Sequence, residues 1–322
     1  MEDKEEEFNI EIPFRCTVNE ITLFLKNVEI IFDWKEKRTP NVLFNLSKVT
    51  EIDMLGLLLS YKIIEFSVEN KCICRSHLKT NEYVDKRLSE FKFQDLLNSY
   101  LDNKRADYTN LGFIKKNEKL FIAPFPLLRQ NVYTKAKIQE NYFPEIEKYY
   151  QQVSQNNEKN IASMVLQCFS EILLNFWEHA VNDTKSIIIA HGTKDFIEIA
   201  CADTGNGIIS TLGPTLDENI SKDDILLKAL EMGITSKKDT DHMGCGLWII
   251  NQIISLNNGR LKLFSEGQYV TNEFGKITNG RCAYWGGTII YIFISLTSPK
   301  DLSGILDINE CKELNNLNIN FQ

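Results

Sequence analysis

Apolar residues in the second half of the chain fall into two patterns, one with a helical period and one with the unbroken runs of buried strands. Ile161, Val165, Phe169, Ile172, Phe176 and Ala180 recur close to every 3.6 residues, which predicts a long helix from about residue 158 with one face in a core. "SIIIAHG" and "DFIEIACAD" follow as two strands joined by a glycine-containing turn, the pattern of a hairpin. "DDILLKALEMG" predicts a short helix and "GLWIINQIISLNNG" a longer one ending at Asn258-Gly259. "RLKLFSEG" and "GGTIIYIFISL" return to strands.

The first half is finer-grained. "NVLFNLSKVTEID" reads as a buried strand and a turn, "MLGLLLSYKIIEFSVEN" as a helix with apolar residues at spacings of three and four, and "KCICRS" as the next strand. "EYVDKRLSEFKFQDLLNSYLDNK" supplies a second helical pattern, with Leu88, Phe91, Leu96 and Leu97 near one stripe. This βαβα order predicts a small α/β domain whose helices cover a sheet. Between about 101 and 155 the periodicity loosens around "APFPLL" and the polar "QQVSQNNEKN", the mark of a connector with strands or a helix of its own. The expected organisation is therefore a small α/β domain over 1–105, a connector over 106–155, a larger domain over 156–300 and a tail over 301–322.

At 322 residues and 43% hydrophobic content, such a chain can bury a sizeable core. The net charge of −8 leaves no Lys/Arg stripe to neutralise phosphates, which argues against nucleic acid or an anionic membrane as partner. The richest apolar run is broken by Lys62 and too short to span a bilayer, and no secretory leader pattern opens the chain, so a cytoplasmic protein is expected. The eight cysteines are scattered, and the one close pair, Cys72 and Cys74, lacks a second pair at zinc spacing; reduced, mostly buried thiols are the expectation.

Three local features carry candidate chemistry. Ser163, Gln167, Glu171, Asn175 and His179 lie four apart, so they form one polar stripe along the long helix. A solvent-facing stripe is the plain alternative, but this one is short of long charged side chains and sits beside Phe176 and Trp177. "ACADTGNGI" puts Asp203 directly after a strand, followed by Gly205 and Gly207: a carboxylate there can accept a hydrogen bond from an exocyclic amine, and glycines let backbone approach a flat ring. A calcium loop or an ordinary turn can use the same letters. In "TSKKDTDHMGCGLWIINQII", Gly244 and Gly246 stand just before a helix whose free N–H groups and positive dipole end attract phosphate oxygens. Lys237, Lys238 and His242 lie upstream in a segment polar enough for a mobile lid; without a ligand it is a glycine-rich helix entry.

Taken together and in this order, the three features resemble the GHKL superfamily of ATP-binding domains, shared by type II topoisomerases, heat-shock chaperones, mismatch-repair ATPases, sensor histidine kinases and anti-sigma serine kinases. "EILLNFWEHA" matches the N-box, "DTGNG" and "GCGL" the two glycine boxes, and "GGTIIYIFI" the closing strand, over about residues 155–297. The resemblance implies a Bergerat-type two-layer α/β sandwich, a mixed and mainly antiparallel sheet with helices on one face, holding ATP and Mg²⁺. It implies Asn175 as the Mg²⁺ ligand, Asp203 at the adenine amine, and Gly205 and Gly207 shaping the adenine side. Gly244, Cys245, Gly246 and Leu247 would supply backbone to the phosphates, Thr288 would support adenine through water, and Lys237 would contact phosphate. Glu171 matches the acid that serves as general base in relatives that hydrolyse ATP or phosphorylate serine. A sensor histidine kinase is disfavoured, because only His77 precedes the N-box and no phosphoacceptor motif surrounds it.

The stretch 41–66 carries a resemblance, over about residues 40–100, to the STAS domain of anti-sigma-factor antagonists, in which a strand ends in Asp and a helix follows. Met54 and Leu55 stand between Asp53 and Gly56, so the expected Ser/Thr phosphoacceptor is missing. An unrelated small α/β domain is the alternative. The functional expectation is an ATP- and Mg²⁺-binding regulatory protein acting as a slow ATPase switch, with a protein partner docking through the N-terminal domain. The alternatives are a serine/threonine kinase of the anti-sigma type and a non-catalytic ATP-dependent interaction protein. Homodimers are frequent among such relatives, although no coiled-coil heptads occur here.

Overall fold

The computed structural model describes residues 7–32, 41–70, 72–77, 79–94, 113–116, 119–128, 143–150, 158–179, 185–236 and 244–297. Its centre is an eight-stranded sheet paired antiparallel at every junction. In chain order its members are β6 (Phe113–Lys116), β7 (Lys119–Leu128), β8 (Lys185–Gly192), β9 (Phe196–Ala202), β10 (Arg260–Ser265), β11 (Gln268–Glu273), β12 (Lys276–Arg281) and β13 (Thr288–Ser295). The spatial order is β12-β11-β10-β13-β9-β8-β7-β6. Strands β6 and β7 come from the segment expected to connect two domains. The register of β7 against β8 shifts between Ile122 and Phe125, at Pro124. Pairing with β6 stops at Ile122, so Pro126 sits where its missing N–H costs the sheet nothing on that side. The hairpin of β11 and β12, with its exposed outer strand, has no counterpart among the elements expected from the sequence.

The N-terminal third holds β1 (Glu7–Glu11), β2 (Arg15–Cys16), α1 (Ile21–Val28), β3 (Asn41–Asn45), β4 (Glu51–Ile52), α2 (Met54–Glu69), β5 (Ile73–His77) and α3 (Glu82–Glu90). β1, β3 and β5 form a parallel three-stranded sheet, and β2 pairs with β4. Helix α2 packs against β5 and also against β8 and β9. It is buried nearly all round, between two sheets, and most of its residues are apolar. The charges it does bury are paired, Lys62 Nζ lying 2.6 Å from Glu65 Oε2.

On the opposite face of the large sheet lie a helical stretch over 143–150, here α4, then α5 (Glu158–His179) and α8 (Gly246–Leu256), with the short α6 (Ile208–Leu212) and α7 (Ile225–Lys228) between them. The large sheet is thus covered on both sides, whereas the sequence led us to expect helices on one face only. Side-chain alternation accounts for this. Ile188, Ala190, Ile197, Ile199, Cys201, Ile290 and Ile292 pack toward α5 and α8. Their neighbours Ile187, Ile189, Ala200, Ala202, Ile289 and Tyr291 pack with the N-terminal third. The runs "SIIIA" and "TIIYI" are continuous rather than alternating for this reason. Each fully buried isoleucine contributes roughly 1.5–3 kcal/mol, so covering the second face is energetically central. Among the described residues, no helix is long and apolar enough to cross a membrane.

Asp53 caps α2 and lies at the seam between the layers. Its carboxylate accepts from the N–H of Gly56 at 2.9 Å and of Val18 at 2.6 Å. Gly56 is confined to glycine because a Cβ there would run into the Cys16 carbonyl. Burial pushes the Asp53 carboxyl up to about 6; the two N–H donors oppose the rise, and the Glu198 charge adds to it. A folded value above the ordinary 3.8 means that the folded protein holds the proton more tightly than the unfolded chain. The associated stability is full below about 4 and is lost as pH rises through about 6, on the order of 2 to 3 kcal/mol in all. Asp53→Asn keeps a capping acceptor and should flatten the stability profile across that window; urea melts from pH 4 to 7 that keep the wild-type slope would refute the assignment.

Candidate functional site

The middle of the α5 polar stripe is buried at Gln167 and Glu171, and Ser163 and Asn175 are half-buried, which a solvent face does not explain. Glu171 is 9% exposed, and Gln167, one turn earlier, donates from Nε2 to Glu171 Oε1 at 2.7 Å. The apolar positions between them hold α5 to the sheet, so the stripe is turned along the helix flank rather than toward water. Among the described residues the buried Nδ2 of Asn175 has no hydrogen-bond partner. The Cys168 thiol is pushed up first by burial and then by the Glu171 carboxylate. The side chain of His179, the last residue of the stripe, lies outside the described residues.

Glu171 and Asn175 meet the start of α8. A Cβ built on Gly246 would fall 2.5 Å from Glu171 Oε2 and 3.4 Å from Asn175 Nδ2, so glycine is what lets the helix end come this close. The side chain of its N-cap residue, Cys245, makes no capping hydrogen bond, and no acidic residue lies in its first turn. Its N–H groups and dipole therefore make a positive end facing the α5 stripe. Cys245 precedes Gly246 and is buried. Gly244 takes φ +66°, and a Cβ there would also lie 2.7 Å from the Ile234 carbonyl carbon, a doubly enforced glycine that anchors the entry of α8. Lys237, Lys238 and His242 fall in residues 237–243, outside the described residues.

The second half of the site gathers at the end of β9. Asp203 is 2% exposed, and its Oδ1 accepts from the N–H of Gly205 at 2.9 Å. Its own N–H donates to the Thr288 carbonyl at 3.0 Å, so the first glycine box and the closing strand are joined directly. The Asp203 carbonyl accepts from Trp285 Nε1 at 2.7 Å. Gly287 packs so tightly on the Asp203 backbone and carboxylate that any Cβ would collide with both. Ser265 Oγ donates to the Gly287 carbonyl at 2.9 Å, accepts from the Ile208 N–H at 2.9 Å and lies 3.5 Å from Thr288 Oγ1. At Gly207 the space of a Cβ is occupied by Ser265 and Glu266, so packing between protein side chains alone requires glycine at that position.

A small apolar cluster links the two halves. Leu247, just after Gly246, packs in the same group as Ile208 and Ile209, which follow Gly207. The structure thus groups Glu171 with Asn175 and Gly246, and Asp203 with Gly205 and Thr288. Ser265, Trp285 and Gly287 were not singled out in the sequence. The paired glycine before "TIIYIFI" was the one local hint, whereas Ser265 and Trp285 acquire their roles only through contacts with residues far away in the chain. The arrangement offers an anion-attracting helix end beside a carboxylate able to take a proton, and a buried carboxylate held by backbone at a strand end. Among the described residues, no group of three or more His, Cys, Asp or Glu could hold a metal ion.

Comparisons with protein-family models, with curated proteins and with solved structures return no match.

The two close glycines should respond differently to an added methyl. Gly287→Ala meets backbone and should cost about 1–3 kcal/mol, seen as a thermal midpoint lowered by several degrees. Gly246→Ala meets the end of the flexible Glu171 side chain and places a better helix former in α8, so its midpoint should stay within about 2 degrees. The reverse ranking in thermal melts would show that the packing at these glycines has been misassigned.

Proposed function

We propose that the chain binds ATP with Mg²⁺ between α5, the end of β9 and the start of α8, and that it acts as a slow ATPase switch with Glu171 as general base. The observation that carries the reading is the convergence of Glu171 and Asn175 on Gly246 at the start of α8. A structural helix contact has little use for a buried carboxylate and an unpartnered amide there. The mixed α/β architecture with a large antiparallel sheet is also what the resemblance requires, although the covered second face goes beyond it.

In this reading the N–H groups of Gly246 and Leu247 hold phosphate oxygens, and the dipole of α8 stabilises their charge. The Asn175 amide fits a magnesium position in its chemistry: its Oδ1 is a hard oxygen donor, and its buried Nδ2 has no partner among the described residues. Magnesium would supply neutralisation of phosphate charge. Asp203 holds the adenine amine, with its carboxylate oriented by the Gly205 N–H and its backbone fixed by Thr288 and Trp285. Glu171, oriented by Gln167, takes a proton from water as that water's oxygen bonds to the γ-phosphorus and the bond to the β-phosphate oxygen breaks. Burial beside Cys168 and the end of α8 keeps bulk water from solvating the carboxylate.

The decisive measurement is phosphate release from purified protein with ATP and Mg²⁺. Glu171→Gln should lower turnover by about 10²- to 10⁴-fold while leaving ATP affinity within a few-fold, because a base acts in the transition state and not in binding. Asn175→Ala and Asp203→Asn should instead weaken ATP binding by about tenfold or more. Labelled γ-phosphate found on a protein rather than free would redirect the reading to a serine/threonine kinase. Tight ATP binding with no release above background in either wild type or Glu171→Gln would leave an interaction protein that uses ATP structurally.

A further inference from the structure

The loop joining β12 to β13, residues 282–287, is gripped from both sides. On its inner side Trp285 Nε1 donates to the Asp203 carbonyl at 2.7 Å, and Gly287 lies against the same residue. On its outer side the loop meets the three-residue 3₁₀ turn that follows α1. Glu29 Oε1 accepts from the Tyr284 N–H at 2.9 Å, and the Phe32 ring stands edge-on to Trp285 with centroids 5.2 Å apart. A Cβ on Gly286 would lie 2.7 Å from Phe32 Cδ1, so this loop position is also shaped around that ring. Phe32 in turn packs on Phe66 of α2, centroids 4.9 Å apart. An unbroken chain of contacts therefore runs from the buried helix of the N-terminal third, through Phe66, Phe32 and Trp285, to the main chain of Asp203.

Trp285 has no part in the proposed binding of nucleotide by direct contact. It is 1% exposed, and its single polar atom is engaged by the Asp203 carbonyl. We propose that Trp285 and Phe32 are positioning residues through which the N-terminal layer sets how strongly the site prefers adenine. Holding the Asp203 main chain fixes where its carboxylate points, and a carboxylate aimed within hydrogen-bond reach of the exocyclic amine discriminates where a loose one does not. A molecule or modification that displaces Phe32 then loosens adenine selection, and ATP reciprocally tightens the contact between the layers. The proposal rests on the ATP-binding reading above.

The test uses the full chain and two ligands, ATP and purine riboside triphosphate, which differs from ATP only in lacking the exocyclic amine. Affinities by titration calorimetry are compared for wild type, Trp285→Phe and Phe32→Leu, with thermal melts to confirm folding. Wild type should prefer ATP by at least about tenfold, the scale of one lost hydrogen bond to a charged group. Trp285→Phe and Phe32→Leu should cut that preference to about threefold or less by weakening ATP alone, leaving affinity for the amine-free analogue unchanged. A merely structural role would weaken both ligands equally. Should Trp285→Phe fail to fold, Phe32→Leu, which keeps the Trp285 hydrogen bond and removes only its aromatic support, decides alone. Wild type lacking any preference between the ligands would overturn the assignment of Asp203 itself, whereas a preference that survives unchanged in the folded variants would overturn the role of Phe32 and Trp285.

Discussion

Burial of the large sheet on both faces is the constraint from which the rest of the architecture follows. Strands β8, β9 and β13 place apolar side chains alternately into two cores, so few of their interior positions can hold a polar group, and Glu198 in β9 is paired with Tyr291. Chemistry is pushed to the strand ends and to the helix flank. Asp203 sits one residue beyond β9, Thr288 opens β13, and Ser265 closes β10. The register aligns Ser265 with Thr288 and Ile289 with Ala202, which draws these ends to one rim of the sheet. A one-residue slip in β13 would exchange Ile290 for Ile289 in the α5 core and carry Thr288 away from Asp203.

Much of this was legible in the residues themselves. The period of Ile161 to Phe176 located α5, and the same helix geometry put Glu171 and Asn175 one turn apart. Glycines flanking polar residues marked both ends of the candidate site, and at Gly207 a neighbouring serine and glutamate already occupy the space of a Cβ. What could not be read locally is what depends on distant partners. The hairpin of β11 and β12 has a half-exposed pattern on one strand and an almost fully exposed one on the other, so hydrophobicity gave no cue to it. Trp285 is an ordinary aromatic in sequence and becomes a hydrogen-bond donor to residue 203 only after eighty residues of chain have folded back.

The N-terminal third makes the same point about seams. Its strand and helix order was apparent from periodicity, but the burial of α2 on nearly every side, Ser60, Lys62, Glu65 and Ser67 included, has its full explanation only in the second sheet beneath it. Several polar groups in this seam are held in local arrangements: Lys62 with Glu65, Asp53 with two backbone donors, and Tyr291 Oη donating to Glu198 Oε1 at 2.5 Å. Buried polar groups that are satisfied in this way fix the relative placement of two layers more narrowly than apolar contact does. Lys262 adds a long-range tie, donating from Nζ to the Val18 carbonyl at 3.3 Å.

The shared core also bears on how such a chain can change over evolutionary time. Ile187, Ile189, Ala200, Ala202, Ile289 and Tyr291 belong to the second half by sequence and to the first half by contact. A recombination event that moved residues 156–300 into another protein would carry an apolar sheet face with no cover, a surface prone to aggregation. The two halves are therefore not exchangeable modules. Substitutions on the underside of the sheet and on α2 must be accommodated together, so the lineage of one half is tied to that of the other.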